Sequence, residues 1–158
     1  MDKRDRALDL FQEAYEQQMN GDLDAAILLY KKSLSVLPTA EAHTFLGWTY
    51  AFQKRYEEAI RECEKAIAAD PEFGNPYNDI GAYLIERGRF DEAIPYLARA
   101  LKAKRYEAYH YPHYNLGRAF EKKGRWADAA REYREALRIQ PDYEIAQRSL
   151  ARLQAMFN

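Results

Sequence analysis

Small side chains recur along this sequence at nearly constant intervals, and this feature limits the possible folds most strongly. One column spaced by 33, 34 and 36 residues consists of Ala26, Ala59, Ala93 and Ala129. Two further columns keep a similar spacing: Ala14, Gly47, Gly81 and Gly117, and Ser33, Ala66, Ala100 and Ala136. Antiparallel helix pairs need small residues where their axes approach most closely. Three such columns in register predict one helix pair repeated four times.

The clearest copy of this unit covers residues 40–73. In its first half, Leu46, Gly47 and Tyr50 follow His43 at offsets of three, four and seven residues. In the second half, Cys63, Ala66 and Ile67 follow Ala59 at offsets of four, seven and eight residues. These offsets are typical of one buried helix face. Residues 53–55 form the predicted turn, and residues 70–71, Asp-Pro, end the second helix.

The order L-G-x-x-Y, then A-x-x-x-C, then P in this unit resembles the tetratricopeptide repeat, with Cys63 where the family usually has an aromatic residue. The resemblance extends from about Ala7 to Pro141, and it implies an all-α fold, a right-handed α-solenoid of four helix pairs with a C-terminal capping helix. We expect one array over residues 1–158, with nine helices and no strands. Its repeats are predicted at about 7–39, 40–73, 74–109 and 110–143, and the capping helix at about 144–157.

One connection departs from the regular spacing. Residues 104–111 make the link between the third and fourth units two residues longer, and they are rich in tyrosine. We predict an exposed connection at the edge of the array. The nearby His110 and His113 could bind a metal if they shared one helix turn. Pro112 between them favours a turn or a helix start instead, so no metal site and no cofactor are predicted.

Composition and charge exclude several classes of function. The net charge of −1 gives no general attraction to nucleic acids or anionic membranes, although residues 1–73 sum to −5 and residues 74–158 to +4. No stretch approaches the roughly 20 apolar residues of a membrane span, and the N-terminal residues lack a signal-peptide pattern. No nucleophile has a plausible neighbouring base, and no glycine loop suits a phosphate. We therefore expect a cytoplasmic protein that is not an enzyme.

The resemblance implies an interaction scaffold whose first helices line a concave groove. We predict that a protein or peptide segment with an apolar anchor residue binds there. The candidate groove residues are Phe11, Tyr15, Phe45, Trp48, Phe52, Asn78, Asp79, Tyr114, Asn115 and Arg118. The alternative for any one aromatic residue is that it only packs between neighbouring units.

One tetratricopeptide subfamily clamps the C-terminal carboxylate of heat-shock chaperones with lysine, arginine and asparagine on three successive first helices. The corresponding positions here are Phe11, Tyr15, Phe45, Asn75 and Asp79, or Thr44, Trp48, Asp79, Tyr111 and Asn115. Neither set contains a lysine or an arginine, and Asp79 would repel a carboxylate. The sequence therefore argues against a chaperone adaptor.

A structural role is the alternative to ligand binding. The opposite net charges of the two halves fit head-to-tail contact between copies of the chain. Such an array would self-associate through its end faces or its capping helix. We accordingly expect either a monomer or a weak homo-oligomer.

Overall fold

The computed structural model describes all 158 residues and contains nine α-helices and no β-strand. This result confirms the predicted all-α fold. The helices are α1 (Lys3–Met19), α2 (Leu23–Val36), α3 (Ala40–Phe52), α4 (Tyr56–Ala69), α5 (Asn75–Glu86), α6 (Phe90–Lys102), α7 (His110–Lys122), α8 (Trp126–Ile139) and α9 (Glu144–Met156). None of them is long and apolar enough to cross a membrane.

The helices stack as four consecutive pairs followed by one single helix. Helices α1 and α2, α3 and α4, α5 and α6, and α7 and α8 form the pairs, and α9 packs on α8. Helix α5 also contacts α3 and α7, the first helices of the neighbouring pairs. The first helices therefore form a continuous row along one side of the stack, and this row carries the site described below.

The small residues lie where the helices of each pair approach most closely. The four alanines that open the second helices are fully buried, as are Cys63 and the three alanines of the third column. A Cβ atom added to Gly81 on α5 would lie 2.4 Å from the Leu97 Cδ2 atom of α6. Since real Cβ atoms do not tolerate such a distance, the predicted need for small residues is confirmed at this position.

Side chains cap the starts of the first three helices. The Asp22 carboxylate accepts a hydrogen bond of 3.1 Å from the Ala25 backbone N–H, and the Thr39 hydroxyl accepts one of 3.1 Å from the Ala42 N–H. These bonds satisfy backbone donors that have no partner inside the helix. The starts of α2 and α3 are thus fixed by local chemistry.

The connection between α6 and α7 is anchored to the turn between α4 and α5. The Arg105 backbone N–H donates to the Glu72 carbonyl oxygen at 2.9 Å, and the Gly74 N–H donates to the Arg105 carbonyl oxygen at 3.1 Å. The Arg105 guanidinium group also pairs with Glu41 at 2.8 Å and with Asp70 at 2.9 Å. The connection is therefore held at both its backbone and its side chain.

The prediction of an exposed connection is wrong for Tyr106. This side chain is half-buried and lies against Gly74, where an added Cβ atom would be only 2.4 Å from the Tyr106 Cβ atom. The glycine thus leaves the space that the ring needs. Burial raises the pKa of the Tyr106 hydroxyl group, so the phenol is neutral at physiological pH.

Candidate ligand-binding groove

Side chains from four helices and one connection surround a concavity of about 460 Å³ on the row of first helices. We call this concavity the groove pocket. Its wall combines α1, α3, α5 and α7 with the connection between α6 and α7. The lining residues are Tyr15, Thr44, Phe45, Trp48, Asn75, Asn78, Asp79, Tyr106, Ala108 and Tyr111.

Three of the predicted aromatic residues contact each other in the wall of the groove pocket. The ring of Phe45 lies 5.9 Å from that of Tyr15 and 5.8 Å from that of Trp48, in both cases edge to face. Edge-to-face pairs are favourable for aromatic rings and restrict their motion. The rings of Phe45 and Trp48 are therefore held in place before any ligand arrives.

The other two predicted aromatic residues on α1 and α3 lie outside the groove pocket. The ring of Phe11 packs 5.5 Å from that of Tyr30 and 5.2 Å from that of Phe45, so it supports the wall from behind. Phe52 lies beyond Trp48, with a ring separation of 4.9 Å, and is 56% exposed. Phe52 extends the aromatic surface past the edge of the pocket.

The predicted polar residues of the fourth unit are already bonded to the third unit. The Asn115 Nδ2 atom donates to Asn78 Oδ1 at 3.0 Å, and both side chains are buried. Arg118 donates to Asn115 Oδ1 at 3.1 Å and to Glu86 Oε1 at 2.8 Å. We call these four residues the polar chain. Because its members satisfy each other, they offer a ligand fewer free hydrogen-bonding groups than the sequence suggests.

Tyr114 also differs from its predicted place. Its ring packs 5.7 Å from that of Tyr133 and 5.5 Å from that of Tyr143, between α7 and the link to α9. It belongs to the small C-terminal core around Tyr133 and Leu153. Tyr114 does not line the groove pocket.

Asp79 is the one residue with a formal charge that lines the groove pocket. It is partly buried and forms no ion pair with a lysine, an arginine or a histidine. Burial raises the pKa of its carboxyl group to about 7, although a hydrogen bond from Asn78 lowers it in part. Near neutral pH the carboxyl group therefore exchanges readily between its neutral and charged forms.

Sequence reasoning missed the contribution of the connection to this site. Tyr106 and Ala108 complete the pocket wall opposite α3, and Tyr111 follows at the start of α7. The available signals were the two additional residues and Gly74, whose missing side chain admits the Tyr106 ring. Gly74 and Tyr106 are more than thirty positions apart in the sequence, so periodicity alone does not reveal their contact.

The two histidines next to the connection have separate neighbours. The His113 Nδ1 atom lies 2.7 Å from Glu132 Oε2 on α8. The His110 ring packs 4.1 Å from that of Tyr111 and 5.1 Å from that of Tyr143. No group of three or more histidine, cysteine or acidic side chains is placed to hold a metal ion.

Comparison with known proteins yields relatives of the same repeat type. The chain is 30% identical over 97 residues to small glutamine-rich tetratricopeptide repeat-containing protein 2 of Saccharomyces cerevisiae, a match that covers 56% of this chain and 26% of that protein. Across the curated relatives, the chain spans between 11% and 57% of their lengths. Each of these relatives is thus a longer protein.

Two solved structures share the fold. The structure of PilF from Pseudomonas aeruginosa matches with a TM-score of 0.91 at 22% identity, over 98% of this chain and 70% of that chain. YrrB, a tetratricopeptide protein with an unusual peptide-binding site, matches with a TM-score of 0.72 at 23% identity, over 95% of this chain and 77% of that chain. At these identities the likeness concerns the fold alone.

Two family models for the tetratricopeptide repeat match residues 40–73 and 78–144, which together make up more than half of the sequence. These matches agree with the helix pairs, the small columns and the structural neighbours described above. The chain therefore belongs to the tetratricopeptide repeat family, whose members generally mediate protein–protein interactions.

Proposed function

We propose that this chain is a binding scaffold that holds a segment of a partner protein in the groove pocket, without catalysing a reaction. The observation that carries the proposal is the pocket itself, in which Tyr15, Phe45 and Trp48 present mutually supported rings around about 460 Å³. Rigid aromatic residues supply large contact areas at a low entropic cost. No side chain of the protein fills this space.

The ligand we expect contributes at least one large apolar side chain. This anchor would pack on Phe45 and Trp48, and Phe52 would cover it from the exposed end. Polar groups of the ligand backbone would meet Asn75 and Asp79, since the amides of Asn78 and Asn115 are bonded to each other. Anchors in such pockets usually dominate the binding energy.

A library of random peptides displayed on phage tests this proposal with ligands that the protein itself selects. We expect selection on the wild-type protein to yield peptides that bind it but not the Trp48→Ala variant. The matched control is Arg61→Glu, which changes an exposed residue of the outer helix α4 and should leave binding intact. Peptides that bind Trp48→Ala as well as wild type, but lose affinity for Arg61→Glu, would show that the groove pocket is not the site.

Self-association is a second candidate function, and the C-terminal end of the stack favours it. Trp126 and Phe157 are 38% and 62% exposed, with rings 6.0 Å apart, beside a depression of about 470 Å³ between α8 and α9. The acidic first half of a second copy complements this basic half. We expect light scattering to give a mass that rises with concentration at low salt, and Phe157→Asp to abolish the rise. A constant monomer mass would exclude this function.

A further inference from the structure

Asp79 differs from the other partly buried acidic residues in having no positively charged partner. Glu62 lies 2.8 Å from His43 Nδ1 and 3.0 Å from Lys65 Nζ, and Glu121 pairs with Arg152. Burial alone would raise the pKa of Glu62, but the hydrogen bonds from His43 and Lys65 hold it below its usual value. The fold thus supplies counter-ions for these two carboxylates and none for Asp79.

The aromatic rings of the groove pocket also lack a cation. Elsewhere in the chain, arginine side chains lie over aromatic rings: Arg55 lies 4.5 Å from the Tyr50 ring, and Arg105 lies 4.2 Å from that of Phe73. No such contact involves the rings that line the groove pocket. Aromatic faces attract ammonium and guanidinium groups, most strongly where water is excluded.

The other titratable groups near Asp79 are either neutral near pH 7 or already paired. The charge of Asp79 acts on Tyr83 of its own helix, on Cys63 of α4 and on Tyr106 of the connection. Burial raises the pKa of all three. On α3, His43 is already bonded to Glu62 of α4, and Thr44 and Trp48 carry no charge.

We propose that the groove pocket binds a lysine or arginine side chain of the partner segment, with its charged end at Asp79 and its alkyl stem along Trp48 and Tyr106. This proposal rests on the proposed function, and it adds a basic residue to the apolar anchor of the ligand. A lysine or arginine fits both parts of the pocket, since such side chains bury their stems and keep the charge at a polar group. The ligand would supply the counter-ion that the fold omits.

The test uses two probes that are both acetylated on the α-nitrogen. They are Nα-acetyl-lysine amide, whose side-chain ammonium group is free, and its uncharged counterpart Nα-acetyl-norleucine amide. The two tryptophans provide an internal control in nitrogen-15 NMR spectra, because Trp48 lines the groove pocket and Trp126 lies at the far end of the stack. We expect the lysine probe to shift the Trp48 indole signal and to bind roughly 5–20-fold more tightly than the norleucine probe. The Trp126 signal should not move.

Two further measurements connect the effect to the carboxylate. Asp79→Asn keeps the shape of the side chain and should make the two probes bind alike, with an unchanged circular dichroism spectrum. In the wild type, affinity for the lysine probe should rise by up to about tenfold between about pH 6 and about pH 8, because the carboxyl group ionises in this range. The same pH series on Asp79→Asn shows how much of the pH dependence of the affinity comes from groups other than Asp79.

The outcomes separate this proposal from the proposed function. Equal binding of the two probes, no Trp48 shift up to about 100 mM of the lysine probe, or an unchanged lysine preference in Asp79→Asn would each overturn it. If displayed peptides still require Trp48 in that case, the groove binds ligands by its apolar wall alone. If the probes show no lysine preference and the displayed peptides do not require Trp48, the groove is not a binding site.

Discussion

The groove has two halves, the groove pocket and the polar chain, in which residues at equivalent positions of the repeat have opposite roles. In the groove pocket, Asp79 forms no ion pair, and no lysine or arginine lies over the rings beside it. In the polar chain, Asn115 bonds Asn78 and Arg118 bonds Glu86. A surface whose groups are already paired contributes rigidity, whereas a surface with unpaired groups gains most from a ligand.

The comparison is most direct at one position of the repeat. Phe45, Asp79 and Asn115 are spaced by 34 and 36 residues, and each lies on the first helix of its pair. The first packs against Trp48, the second carries the unpaired charge, and the third joins the polar chain. Equivalent places in a repeat thus support a wall, an unpaired carboxyl group and a structural bond, and the side chain decides which.

The largest effect is expected from Gly81→Leu, because α5 separates the two halves. Its new side chain would collide with Leu97, so we expect a loss of stability of roughly 3 kcal/mol and disturbance of both halves. Chemical denaturation measures the change. Ala68→Leu, on the exposed surface of α4, is the matched control, with an expected effect within about 0.5 kcal/mol. A small effect at Gly81 would mean that α5 can move away from α6 without consequence.

The next effect concerns ligand binding by the groove pocket. Trp48→Ala should weaken binding of a selected peptide by about 2 kcal/mol, or roughly 30-fold, while the helical content remains the same. Arg118→Ala in the polar chain should change the affinity by less than about 0.5 kcal/mol, since its guanidinium group bonds to the protein. Calorimetric titration of both variants measures the difference. A reversed order would contradict the comparison.

The helices and the small columns could be predicted from the sequence because they depend on local periodicity. The site was predicted only in part. The bond between Asn115 and Asn78 joins residues 37 positions apart, and the position of Tyr106 depends on Gly74 in another turn. Phe11 shares the helix of Tyr15 but faces Tyr30, which only the packing of α1 against α2 determines. Contacts of this kind have no signature in a single window of sequence.

A smaller loss of stability is expected from a substitution in the polar chain. Asn115→Ala removes the partner of the buried Asn78 side chain, so we expect a loss of stability of roughly 1–2 kcal/mol. Peptide affinity should stay within about twofold of wild type, because the groove pocket keeps its lining. Denaturation and titration on the same sample measure both quantities. A large loss of affinity at unchanged stability would place the polar chain in the binding site.

The one pH-dependent effect is a gain of stability in Asp79→Asn. The carboxyl group has a pKa of about 7 in the folded protein, above the usual value of 3.8. The folded state therefore binds the proton more tightly, and the stability of the wild type should fall as the pH rises from about 4 to about 7. At about pH 8 we expect Asp79→Asn to be more stable than wild type by up to about 4 kcal/mol, and at about pH 4 the difference should vanish. Thermal unfolding as a function of pH measures this, and a variant less stable than wild type at the higher pH would mean that the charge has an internal partner.

The most direct measurement of the central claim is a nitrogen-15 NMR titration with a peptide selected from the display library. Trp48 reports on the groove pocket, and Trp126 reports on the surface between α8 and α9. We expect the Trp48 indole signal to shift in proportion to the bound fraction while the Trp126 signal stays in place. A Trp126 signal that moves while Trp48 does not would contradict the account and place the ligand at the C-terminal end of the stack.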